Sequence, residues 1–125
     1  MPVTALNHYN LRAPHALMRH LRDFYCDVVG LEQGERPAFT SVGYWLYAGG
    51  QPILHLSEAL AGDVRNNAPT TFDHVAFTCI DQEEMAARLA AHQVQYRVVQ
   101  VPLTGQTQFF FRDPAGNGIE LNFAA

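Results

Sequence analysis

Four residues able to bind a metal or move a proton stand at matching intervals along the 125-residue chain: His8, His55, His74 and Glu120. His8 and His74 are 66 positions apart, and His55 and Glu120 are 65 apart; within the halves, His8 to His55 is 47 and His74 to Glu120 is 46. The flanking residues repeat with them: L-N-H-Y-N-L compares with F-D-H-V-A-F, and I-L-H-L with G-I-E-L. Three imidazoles and one carboxylate are a donor set suited to Fe(II), Ni(II), Mn(II) or Zn(II). Asn7 and Asp73 directly precede the two first histidines, where an outer hydrogen-bond acceptor would orient a ligating ring. His15, His20 and His92 fall in or beside expected helices with no repeat partner, and are read as surface residues.

The elements that position these residues also repeat. Residues 5–12 alternate as a strand. Pro14 opens a helix with Leu17, Leu21 and Phe24 at helical spacing, ending near Gly30. Strands are expected over 31–36, 40–48 and 52–58, the last two joined by a hairpin turn at 49–51. Residues 59–71 are small and polar and read as a linker. The order then returns: a strand over 72–80, a helix capped by Asp81 with Glu84 as its capping-box partner and Met85 and Leu89 on its buried stripe, strands over 94–101 and 106–112, a tight D-P-A-G-N-G turn, and a strand over 119–123. Each half, about 5–58 and 72–123, is β-α-β-β-β, and the chain is read as one α+β domain of two such modules. Alternation puts His8 opposite Tyr9 and Leu11, His74 opposite Val75 and Phe77, His55 opposite Leu54 and Leu56, and Glu120 opposite Ile119 and Leu121. The apolar neighbours pack under the helix and leave the four polar residues on the other face.

Composition narrows the function. With 48% hydrophobic and 16% charged residues the chain is a folding one. Its net charge is −4, and all eight basic residues are arginine with no basic run, which excludes a nucleic-acid footprint. The absence of lysine excludes Schiff-base chemistry. No stretch approaches the roughly 20 apolar residues of a membrane span, and the N-terminus lacks a signal-peptide pattern. Cys26 and Cys79 are isolated and read as buried free thiols of a cytoplasmic protein.

With these pieces assembled, the sequence resembles the vicinal-oxygen-chelate superfamily of glyoxalase I, extradiol dioxygenases, fosfomycin-resistance thiol transferases and bleomycin-binding proteins. The resemblance covers about residues 5–123 and rests on L-N-H-Y-N-L, F-Y-C-D-V-V-G-L (24–31), F-D-H-V-A-F (72–77) and, most specifically, D-P-A-G-N-G-I-E-L (113–121). It implies paired βαβββ modules forming curved mixed sheets around one divalent ion. It assigns His8, His74 and Glu120 to the three shared ligand positions and His55 to a fourth that is usually carboxylate or amide in glyoxalases. It implies a small organic substrate chelating the ion, and a homodimer whose sites can be shared between chains. Glu120 matches a base or a ligand, and Arg12 an arginine that grips a substrate carboxylate. Gln108 and Phe110 are implied to face the cleft, with Phe109 and Phe111 packed under the helix. Phe110 also stands where dioxygenases and fosfomycin enzymes carry a tyrosine, and residues 94–101 lack the dioxygenase acid–base histidine. The expectation is therefore lyase or isomerase chemistry of the glyoxalase I type. Fe(II)-dependent ring cleavage and non-catalytic drug binding are the alternatives.

Overall fold

Apolar–polar alternation builds β1, Tyr9–Ala13, in which Tyr9 and Leu11 are half-buried and Ala13 is buried while Asn10 and Arg12 are exposed. The strand starts later than its pattern suggests, because nothing covers Leu6 and the ladder with the fourth strand begins at Tyr9. His8 therefore sits just outside the ladder. Pro14, with φ −55° and ψ 154°, leads into α1, His15–Phe24, which buries Met18 and Leu21. The helix then widens into a π-helical turn, Tyr25–Val29, closed by Gly30 N–H on Tyr25 O at 3.0 Å. The extra residue in that turn brings Tyr25, Val28 and Val29 into the core, a step the helical spacing alone did not announce. β2, Glu32–Gly34, β3, Gly43–Ala48, and β4, Gln51–Glu58, complete the first half. Gly49 and Gly50, at φ 55° and 79°, supply the two positive dihedrals of the β3–β4 hairpin.

The second half repeats the order with β5, His74–Cys79, α2, Gln82–Ala91, β6, Arg97–Gln100, β7, Thr107–Arg112, and β8, Gly118–Phe123. Asp81 caps α2 by accepting from Glu84 N–H at 3.2 Å. The Glu84 side chain pairs with Arg88 instead of returning the bond. In the turn before β8, Asp113 Oδ1 accepts from the N–H groups of Ala115 and Asn117 at 2.8 and 3.0 Å, which fixes the entry of that strand.

This computed structural model describes residues 1–65 and 70–125. It divides into two compact units, 1–65 and 66–125, with the boundary inside the segment read as a linker. The class is α+β: each unit is a four-stranded mixed sheet with its helix, ordered β1-β4-β3-β2 and β5-β8-β7-β6. β1 runs parallel to β4, and β5 to β8; the other pairings are antiparallel. The registers coincide too. Asn10 stands across from His55 as Ala76 does from Glu120, and Trp45 across from His55 as Phe110 does from Glu120. One core holds Met18, Leu21, Tyr25, Leu46, Leu54 and Leu56; the other holds Leu89, Phe109, Ile119, Leu121 and Phe123. Burying each such side chain stabilises by about 1.5–3 kcal/mol, which holds the opposite faces in place. No helix among the described residues is long and apolar enough to cross a membrane.

Candidate functional site

The second unit brings His74 and Glu120 together. His74 opens β5 directly across from Gly118 of β8, and the missing side chain there lets the two strands close. A Cβ on Gly118 would overlap the backbone oxygen of Asp73 and lie 3.0 Å from His74 Cβ. His74 Nδ1 lies 2.8 Å from Asp73 Oδ2. A carboxylate only accepts, so Nδ1 donates to Asp73, and Nε2 is the nitrogen left for Glu120 or a cation. That hydrogen bond holds the exposed Asp73 carboxyl below the usual carboxylate range. Nε2 faces Glu120 Oε1 at 3.2 Å. Glu120 is only 7% exposed, and its Oε2 accepts from Gln108 Nε2 at 3.2 Å and Asn122 Nδ2 at 3.4 Å. Phe110, across from Glu120, stands edge-on to the His74 ring at 5.6 Å.

This half-site fits a divalent ion. A lone pair facing a carboxylate oxygen repels unless a proton or a cation lies between them. Two donors about 2.1 Å from one ion stand roughly 3.0 Å apart at a right angle and roughly 3.4 Å apart at the tetrahedral angle. The observed 3.2 Å lies within that interval. Asp73 on one side and Gln108 with Asn122 on the other fix the orientation of the two side chains.

The first unit holds its pair differently. His8 Nδ1 lies 2.7 Å from Asn7 Oδ1, the same preceding-residue contact as in Asp73–His74, so Nδ1 again donates. The His55 ring is sandwiched between Trp45, at 4.1 Å and 9°, and His8, at 3.8 Å and 13°. Its Nε2 lies 3.1 Å from Pro52 O and so donates, leaving the lone pair on Nδ1. Ring lone pairs lie in the ring planes, and two nearly parallel rings do not aim them at one point. His8 and His55 are therefore adjacent without being arranged as a chelate. Burial, then the neighbouring His8, lowers the His55 pKa below the ordinary imidazole value, against the raising effect of the Pro52 bond.

Among the described residues, no group of three or more His, Cys, Asp or Glu side chains gathers around one point. The other sequence expectations resolve individually. Arg12 is exposed and donates to Glu58 O at 3.1 Å. Gln108 and Phe110 are half-buried on the Glu120 face, whereas Phe109 and Phe111 are 2% and 6% exposed on the other. Gln108 spends its amide on Glu120. His15, His20 and His92 are exposed; His15 pairs with Glu58 at 3.0 Å. Cys26 and Cys79 are free and half-buried, and burial pushes both thiols up in pKa. Sequence reasoning missed Asn122 as a Glu120 donor and Trp45 as the stacking partner of His55. Trp45 and Phe110 lie 65 positions apart, the same interval as His55 and Glu120, which was the available signal.

The Glyoxalase/Bleomycin resistance protein/Dioxygenase superfamily model matches residues 5–121. The chain belongs to that superfamily. Solved superfamily-like structures agree in fold. A glyoxalase family protein from Bacillus anthracis shares 20% identity, over 98% of this chain and 97% of its own, at TM-score 0.75. The lactoylglutathione lyase of Agrobacterium tumefaciens shares 22%, covering 98% and 96%, at 0.69. A genomically encoded fosfomycin resistance protein from Listeria monocytogenes shares 19%, covering 98% and 94%, at 0.71. No curated protein matches the chain significantly. The superfamily contains different chemistries on one scaffold, so the site residues carry the functional argument.

Proposed function

We propose that this superfamily member is a metal-dependent enzyme acting on a small metal-chelating organic substrate by lyase or isomerase chemistry of the glyoxalase I type. The observation that carries the reading is the pair His74 Nε2 and Glu120 Oε1, 3.2 Å apart and each oriented by its own hydrogen-bond partners. By the superfamily resemblance His8, His74 and Glu120 stand at the three shared ligand positions for an Fe, Ni, Mn or Zn ion and His55 at a fourth, as a ligand or a proton-transfer group; His74 and Glu120 are the two that the geometry itself pairs. When bound, the ion polarises substrate oxygens and stabilises the charge that develops on them. The chain's own residues do the rest. Asp73 and Asn7 hold the histidine protons on Nδ1. Gln108 and Asn122 keep Glu120 Oε2 occupied, so that Oε1 is the free oxygen. His55 donates through Nε2 to Pro52 and keeps a neutral ring with its lone pair on Nδ1, the state required of a general base. That role suits it better than ligation in the stacked arrangement. The homodimer and the reducing, cytoplasmic setting belong to the same reading, the latter supported by the two free thiols.

One observation favours a second reading. Counted without His55, His8, His74 and Glu120 are the residue types of a 2-His-1-carboxylate set, which suits Fe(II) oxygen chemistry. Two assays separate the readings. Ni(II)-loaded protein is tested for turnover of the hemithioacetal of methylglyoxal and glutathione, and Fe(II)-loaded protein for catechol-dependent O₂ uptake. The site itself is tested by metal analysis of untagged protein. Wild type and His92→Ala are expected to retain one ion per site and His74→Ala none. Equal retention by the two variants would refute the metal assignment, and a metal-free wild type after supplementation would leave only the ligand-binding role.

A further inference from the structure

The structure also suggests what the substrate carries besides its chelating oxygens. Arg12, Arg22, Arg36, Arg65, Arg88 and Arg112 each donate to or pair with an oxygen of a nearby residue. Arg97 does not: among the described residues its guanidinium makes only a ring contact, 4.8 Å above the centroid of Phe110. The register places it with the site. Arg97 stands across from Phe110, and Phe110 across from Glu120, so the three form one row on one face of the sheet. Phe110 in turn contacts the His74 ring, so Arg97, Phe110 and His74 are a continuous wall.

Stacking on a ring uses the face of a guanidinium and leaves its in-plane N–H donors available. It also restrains a long side chain in advance, reducing the entropy lost when a ligand binds. The two strand spacings between Arg97 and Glu120 amount to about 9.6 Å. We propose that Arg97 is a specificity-determining residue that receives a carboxylate of the substrate while vicinal oxygens of the same molecule chelate the ion. The substrate class is thus an anionic chelator, a carboxylate-bearing molecule with vicinal oxygens, for which a dihydroxyaryl carboxylate serves as the binding probe. This rests on the metal reading above.

The test uses an isosteric pair, 3,4-dihydroxybenzoate and 3,4-dihydroxybenzamide, titrated calorimetrically into protein loaded with the ion it retains. Wild type is expected to bind the benzoate about tenfold tighter than the neutral benzamide. Raising salt from about 50 to about 500 mM is expected to shrink that preference. Arg97→Gln should abolish the preference while leaving benzamide affinity within about twofold of wild type, since only the charged contact is lost. Arg97→Lys should keep part of it, because an ammonium lacks the planar fork. Arg19→Gln, on the exposed surface of α1, should change nothing. Circular dichroism checks that each variant is folded. Benzamide binding without a benzoate preference, or a preference that survives Arg97→Gln, overturns the role of Arg97 and leaves the metal reading standing. Failure of metal-loaded wild type to bind either compound overturns the anionic-chelator assignment, whereas failure to retain an ion at all overturns the metal reading on which it rests.

Discussion

Gly118→Ala tests whether strand contact at one glycine sets the geometry of the His74–Glu120 pair. Gly118 lies across from His74 and two residues before Glu120 in β8. Its φ is not in the left-handed region, so the substitution acts through space alone. The added methyl would overlap Asp73 O and lie 3.0 Å from His74 Cβ. Carbon–carbon contacts are optimal at about 3.5–4.0 Å, so β5 must retreat by about 0.5–1 Å. Overpacking of this size costs about 1–3 kcal/mol of stability. The same retreat widens the 3.2 Å gap between His74 Nε2 and Glu120 Oε1. Beyond roughly 3.4 Å, two bonds of about 2.1 Å no longer meet at a tetrahedral angle, and metal affinity is expected to fall at least about tenfold. The assay is competition for metal against a chromophoric chelator, beside a urea titration. Gly62→Ala is the control: at φ 87° it strains the backbone, but no atom lies within 4 Å of its added methyl. It is expected to lose stability while keeping metal affinity. Unchanged metal affinity in Gly118→Ala would refute the reasoning, whatever the urea midpoint does.

Three further outcomes are expected. Asp73→Ala removes the acceptor that holds His74 Nδ1–H, and metal affinity should drop about 10–100-fold, whereas Asp73→Asn, which can still accept, should lose less; equal affinities by competition titration would contradict this. Gln108→Leu frees Glu120 Oε2 and should weaken metal binding while leaving the urea midpoint within about 1 kcal/mol of wild type, since only one of two donors to a carboxylate goes. Burial raises the Cys79 thiol, so the folded state disfavours thiolate: this contributes stability below the thiol's unfolded pKa that is lost as pH rises through the higher folded one. Alkylation of Cys79 by iodoacetamide near pH 8 should be several-fold slower in the folded protein than in urea; equal rates would contradict the burial argument.

The repeat was legible because a duplicated module keeps its periodicities. Apolar alternation in β1, β4, β5 and β8 set which side chains face the helices, and the shared intervals singled out His8, His55, His74 and Glu120. Burial of Leu54, Leu56, Ile119 and Leu121 follows that alternation directly. The π-helical turn at Tyr25–Val29 and the late start of β1 were not legible, because each depends on which neighbours bury or pair the residues. Nor was the difference between the two halves. Sequence gives four residues one symmetric role, but ring orientation is set by partners on other strands. Trp45 stacks on His55 from β3, and Pro52 takes its Nε2 proton, while Gln108 and Asn122 turn one oxygen of Glu120 toward His74. Residue type and spacing alone thus determined the modules and singled out the four candidate donors. Which atom of each donor is free, and which pair is aimed at one point, only the tertiary structure decided, because a lone pair's direction is fixed by contacts far apart in the chain.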